Sequence, residues 1–183
     1  MSAVARVRRT YFDCRYGQLH VHQAIPPGGG FDEATALLCL PGARGLGGFY
    51  TALLAPLGSN RSIYALDLPG FGGSDAPMQG LGPEQWALAA TDLLDSLHQR
   101  RVDVLAHAEG AATALALKKQ RPSLVRRMAW SAAPASVVSQ ASTAGVAWQE
   151  LALAEAGDEA LSAASVRTHL DEIIGIFNTD AAA

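Results

Sequence analysis

The chain has 183 residues, 49% hydrophobic and 17% charged, enough for one domain with a real core and too apolar for a disordered chain. Its 14 basic and 17 acidic side chains leave a net charge of −3, which removes the electrostatic argument for a nucleic-acid or anionic-membrane partner. The longest apolar runs, Ala36 to Leu40 and Trp86 to Ala90, are five residues long, against the roughly 20 of a membrane-spanning helix.

The first ten residues carry arginines but not the apolar stretch of a secretory signal. Arg9 to Cys14 and Gln18 to Ala24 flank a Tyr16-Gly17 turn and predict an antiparallel hairpin, the second strand alternating Leu19, Val21 against His20, His22. Pro26 to Gly30 reads as a surface loop. Thr35 to Leu40 is a short apolar run of the kind buried in a parallel sheet. A helix is expected over Gly47 to Leu57, a strand over Ser62 to Asp67, and a helix over Pro83 to Gln99. Val102 to Ala106 reads as a strand, Glu109 to Gln120 as a helix, and Val125 to Ser131 as a strand. Cys14 and Cys39 both fall in strand-like runs, which reads as reduced thiols in a cytoplasmic protein. Strand–helix alternation at this spacing means an α/β fold, a three-layer α/β/α sandwich with a mostly parallel sheet and an antiparallel hairpin at its start.

A boundary falls near Pro134. Residues 1–134 carry 13 basic and 10 acidic side chains, whereas residues 135–183 carry one basic and seven acidic. The second stretch has no strand-like run and reads as helical over Trp148 to Ala156 and Val166 to Phe177. The division is thus a core, 1–134, and a helical lid-like segment, 135–183.

Three segments, in this order, resemble the α/β-hydrolase family. Leu37 to Ala43 looks like the strand that ends in His-Gly-x, where the N–H of x, here Ala43, contributes to the oxyanion hole; Pro41 stands in the place of the usual histidine, and Gly42 follows it. Asp67-Leu68-Pro69-Gly70-Phe71-Gly72-Gly73-Ser74 matches the family's Asp-x-Pro-Gly-x-Gly-x-Ser turn, which is structural and lines one wall of the site. Ala106-His107-Ala108-Glu109-Gly110 is laid out as a nucleophile elbow, with small residues two before and two after the tip and a helix following. The resemblance implies an oxyanion-hole N–H at Glu109 and a pocket bordered by Pro41, Gly42, His107 and Trp148, with Phe177 among its lining.

The nucleophile position itself is Ala108. A methyl group cannot attack a carbonyl, and covalent acyl transfer needs a hydroxyl, thiol or carboxylate there. The family draws its acid and histidine from later strands. Ala183 falls about where lid helices would return to the sheet, and His169, in a lid-like stretch, is the one histidine after the elbow. The resemblance therefore covers 9–134 closely, 135–183 loosely and the triad not at all. It implies a relative of hydrolases of small esters, with weak or no catalysis as written. The alternative is a non-catalytic protein on the same scaffold that binds a small apolar, ester-like ligand or a partner.

Other residues read more plainly. Glu109 is a pocket-rim residue at a helix start or a stand-in acid, and Ser131 a remote substitute nucleophile. His20 and His22 share one face of the hairpin but are too few for a metal site, and no metal or organic cofactor is implied. Lys118, Lys119, Arg121, Arg126 and Arg127 read as a solvated helix end and turn. Gly42 to Gly48 followed by Asp67 roughly imitates a dinucleotide-binding layout, but the glycine spacing is wrong and a hairpin precedes it, so a nucleotide-cofactor oxidoreductase is a remote alternative. A sheet ending at Val125 to Ser131 would leave that strand exposed unless the helices of 135–183, or a second copy in a homodimer, cover it.

Overall fold

The computed structural model describes residues 5–29, 34–42, 44–151 and 163–178. β1 (Arg6–Cys14) and β2 (Gly17–Ile25) form the hairpin, β3 (Leu37–Leu40) follows, and a 3-10 turn at Gly47–Tyr50 leads into α1 (Thr51–Leu57). Then come β4 (Ile63–Leu66), α2 (Pro83–Ser96), β5 (Val102–His107), α3 (Gly110–Gln120) and β6 (Val125–Ser131). α4 (Ala135–Thr143), β7 (Gln149–Glu150) and α5 (Ala163–Asn178) complete the described chain.

The sheet runs β1-β2-β4-β3-β5-β6-β7. β1–β2 and β2–β4 pair antiparallel; every pair from β4 to β7 is parallel. Strand alternation divides the side chains between two cores. Leu38, Leu40, Val104, Ala106 and Trp130 pack with α2, α3 and α4 on one face. Leu37, Cys39, Leu105 and Ala129 pack with α1 and α5 on the other. A short strand such as Leu-Leu-Cys-Leu, buried on both faces, forms because helices cover it on each side. At about 25 cal/mol per Å2 of apolar area, these two layers are the main source of stability.

The structure corrects four expectations about the elements. Gln149–Glu150 is a strand, not part of a helix over Trp148 to Ala156; residues 152–156 of that reading lie outside the described residues. β7 pairs with β6 at Ala129 and Trp130, so a strand from 135–183, not the helices expected, covers that edge there. The basic cluster is solvated only in part: Lys119 is exposed, whereas Arg126 and Arg127 are engaged within the fold. Arg126 donates to both Asp103 carboxylate oxygens (2.9 and 2.6 Å) and to Phe177 O, Arg127 donates to Ile176 O, and Lys118 to Pro122 O and Val125 O. Asp103 is fully buried, with Arg61 on its other side at 3.5 Å. These arginines dock the C-terminal carbonyls of α5, where a cation is favoured. Finally, Phe177, expected among the lining of the elbow's pocket, is buried with α1 in the second core. Cys14 and Cys39 are both free thiols, and among the described residues no helix is long and apolar enough to cross a membrane.

Candidate active site

The site gathers at the C-terminal ends of β3, β4 and β5, where open α/β sheets bind ligands. β5 runs into a sharp turn before α3. Ala108, at the tip, has φ +46°, a left-handed conformation that costs an L-residue about 1–2 kcal/mol. The turn is tied down by Ala108 N–H donating to Ser131 O and by Ala111 N–H donating back to Ala108 O. Close approach demands the small neighbours. Ala106 is fully buried, and a methyl on Gly110 would lie 2.5 Å from Pro41 O and closer still to Leu40 O. A side chain on Gly42 would begin 3.2 Å from the Ala108 methyl and 3.4 Å from Glu109 Oε2. The β3 end and the elbow therefore meet across Gly42 and Ala108.

Beside this junction is a cavity of about 300 Å3. Pro41, Gly42 and Glu109 border it at the elbow; Leu68 and Phe71 come from the turn after β4, Trp86 from α2 and Val137 from α4. Phe71 and Trp86 are edge-to-face, ring centroids 6.0 Å apart. Of the pocket residues read from sequence, Pro41, Gly42 and Glu109 are brought together here. Ala43, the second oxyanion-hole donor of that reading, lies outside the described residues.

His107 and Trp148 are not in this wall. His107 belongs to the opposite side of the strand from Ala106, so it enters the other layer, stacking on Phe49 at 4.5 Å, with Nδ1 2.8 Å from Ser131 Oγ. Trp148 stacks on Trp130 at 4.6 Å, because β7 draws the preceding residue over the end of β6. Ser131, 1% exposed, is enclosed beside His107 and does not face the cavity.

The Asp67 turn is held by its own carboxylate. Oδ1 accepts from Gly47 N–H at 2.8 Å; Oδ2 accepts from Gly73 N–H at 2.9 Å and from His20 Nδ1 at 2.8 Å. Gly72 has φ +55°, and a methyl there would run into the carboxylate, so only glycine fits. Ser74 Oγ donates to Asp67 O while accepting from His20 N–H. This explains how residues 67–74 place Leu68 and Phe71 on the cavity wall. It also leaves Asp67 committed to the turn, not available to a ribose as the dinucleotide layout requires. His20, His22 and Asp67 form the group that could hold a metal ion among the described residues. Sequence spacing hid it, since Asp67 arrives from a strand 47 residues away. With three donors already on the carboxylate and His22 Nε2 3.8 Å off, the arrangement is accounted for by the turn it pins.

Comparison with known proteins identifies the fold. A family model described as "Alpha/beta hydrolase family" matches residues 37–179. The chain belongs to the α/β-hydrolase family. No curated protein matches. Among solved structures, the epoxide hydrolase CorEH is similar with a TM-score of 0.63 and 18% identity, over 75% of this chain and 50% of that one. Naproxen esterase from Bacillus subtilis gives 0.62 and 22%, over 70% and 44%. An N-acyl homoserine lactonase in complex with N-hexanoyl homoserine gives 0.61 and 20%, over 70% and 46%. This hydrolase-fold chain thus spans half or less of the length of these structures.

Proposed function

We propose that this hydrolase-family chain binds a small, mostly apolar molecule in the cavity beside the elbow and does not turn it over through a covalent intermediate. The observation that carries the reading is Ala108. The strained turn that would present a nucleophile is kept, and it presents a methyl group. A carbon with no lone pair supplies neither attack nor proton transfer, so acyl transfer by the elbow's route is closed. The cavity beside it, about 300 Å3 with mostly apolar walls, is at the lower end of the size range for small-molecule sites. Epoxide, ester and lactone are the substrate types in the names of the similar structures, and the cavity suits molecules of that size. Any residual turnover would rest on the backbone amides of Glu109 and Ala43 polarising a carbonyl toward water.

The test pairs binding with turnover. Titrating p-nitrophenyl butyrate and its unreactive ether analogue against the purified chain should give saturable quenching of tryptophan fluorescence, Trp86 being in the cavity wall. Hydrolysis should stay at the buffer rate. An efficiency of about 10⁴ M⁻¹s⁻¹ or more, ordinary for an enzyme, would overturn the reading.

A further inference from the structure

The cavity carries one charge. Among its described lining residues Glu109 is the only ionisable side chain, and no lysine, arginine or histidine answers it there. Its carboxylate reaches over the β3 end, with Oε2 3.4 Å from where a side chain on Gly42 would begin, next to the Ala108 methyl. That is where a reacting carbonyl would develop negative charge, and a carboxylate opposes an oxyanion there for the reason that a cation would be favoured. The rest of the lining is mostly apolar apart from Thr113 and Ser136, and two of its side chains are the aromatic rings of Phe71 and Trp86. Trp86 is held in place by Nε1–H donating to Pro69 O at 3.3 Å. A cavity lined by one carboxylate and two aromatic rings can recognise an organic cation, by ion pairing at one end and cation–π attraction along the wall.

We propose that the cavity takes a small apolar molecule with an ammonium head, its charge at Glu109 and its carbon body against Phe71 and Trp86. This rests on the reading of the cavity as a ligand site and names the ligand class for it. The polar head selected is positive, and neutral carbonyl heads are the poorer fit.

Isothermal titration calorimetry of the purified chain at neutral pH separates the two claims. Phenethylamine, phenethyl alcohol and phenylacetate share one skeleton and carry a positive, a neutral and a negative head. The amine should bind about tenfold more tightly than the alcohol, and phenylacetate should be the weakest. Glu109→Gln, at an exposed position, should remove the amine's tenfold advantage over the alcohol. Equal affinity of amine and alcohol, or an amine affinity untouched by Glu109→Gln, overturns the ammonium assignment while leaving the cavity as a ligand site. Preference for phenylacetate overturns it equally. Failure of all three to bind overturns both readings.

Discussion

Replacing Gly110 by alanine tests whether the elbow is packed as tightly as its geometry requires. The added methyl would sit 2.5 Å from Pro41 O, about 0.9 Å short of an ordinary contact at 3.4 Å, and nearer still to Leu40 O. Both neighbours are backbone. Leu40 pairs with Ala106 in the ladder, and β3 is clamped between β4 and β5, so neither carbonyl can swing aside as a side chain would. Overpacking of this kind costs about 1–3 kcal/mol. Helix propensity and the stiffer unfolded chain return up to about 1 kcal/mol. The net loss should be about 1–2 kcal/mol, read as a lower urea midpoint with unchanged slope and a Tm about 2–8 °C lower for a chain of this size. Gly175→Ala is the matched control: that glycine is exposed within α5 with open space around it, so alanine should stabilise by about 0.5–1 kcal/mol. A Gly110→Ala protein as stable as its parent, alongside a Gly175→Ala protein that gains stability, would refute the close approach of β3 to the elbow.

Arg126→Met removes the principal partner of the fully buried Asp103 carboxylate and leaves Arg61 at 3.5 Å. Unfolding by urea should show a loss of about 3 kcal/mol, largely recovered when Asp103 is replaced by leucine in the same chain. Burial holds the His22 imidazole below its ordinary pKa, against the opposing pull of Asp67. The unfolded chain therefore takes up that proton first as pH falls, so His22 contributes stability that is full above about pH 6.5 and declines below it. His22→Gln should flatten the decline in stability between about pH 7 and pH 5. The Arg15 guanidinium, bonded to Asp92 at 2.8 and 2.9 Å, holds that carboxyl below its usual range. Asp92→Asn should lose no more than about 1 kcal/mol near neutral pH, the pair being partly exposed, and nothing in strong acid, where the carboxyl is protonated in either protein.

Much of the fold is legible because local pattern and burial agree. Leu37 to Leu40 is apolar on both faces and is covered on both; in the hairpin Leu19 and Val21 are buried as read, although β2 is buried on both faces from Val21 to Ala24. The tight turn after β5 is legible from Ala106 and Gly110, since only a small residue fits so close to β3. What escaped depends on distant partners. Gln149 and Glu150 are two exposed polar residues with no strand pattern, and they pair only because β6 offers an edge. The docking of α5 by Arg126 and Arg127 joins residues about 50 apart, so a basic run looks like a solvated turn. His107, opposite Ala106 by strand alternation, meets Pro41 and Gly42 on the other side of β5 from the cavity, beside Phe49. Glu109, read as a rim residue, becomes informative once Phe71 and Trp86 arrive beside it from other elements.

The central claim is that the elbow holds no nucleophile and that no neighbouring hydroxyl substitutes for it. Incubating the purified chain with a fluorophosphonate that labels activated serines, followed by intact-mass measurement and peptide mapping, tests this directly. The account predicts an unchanged mass, because Ala108 offers a methyl and Ser131 is enclosed beside His107 away from the cavity. A single phosphonyl adduct mapped to Ser131 would contradict it and make the His107–Ser131 pair a working nucleophile and base.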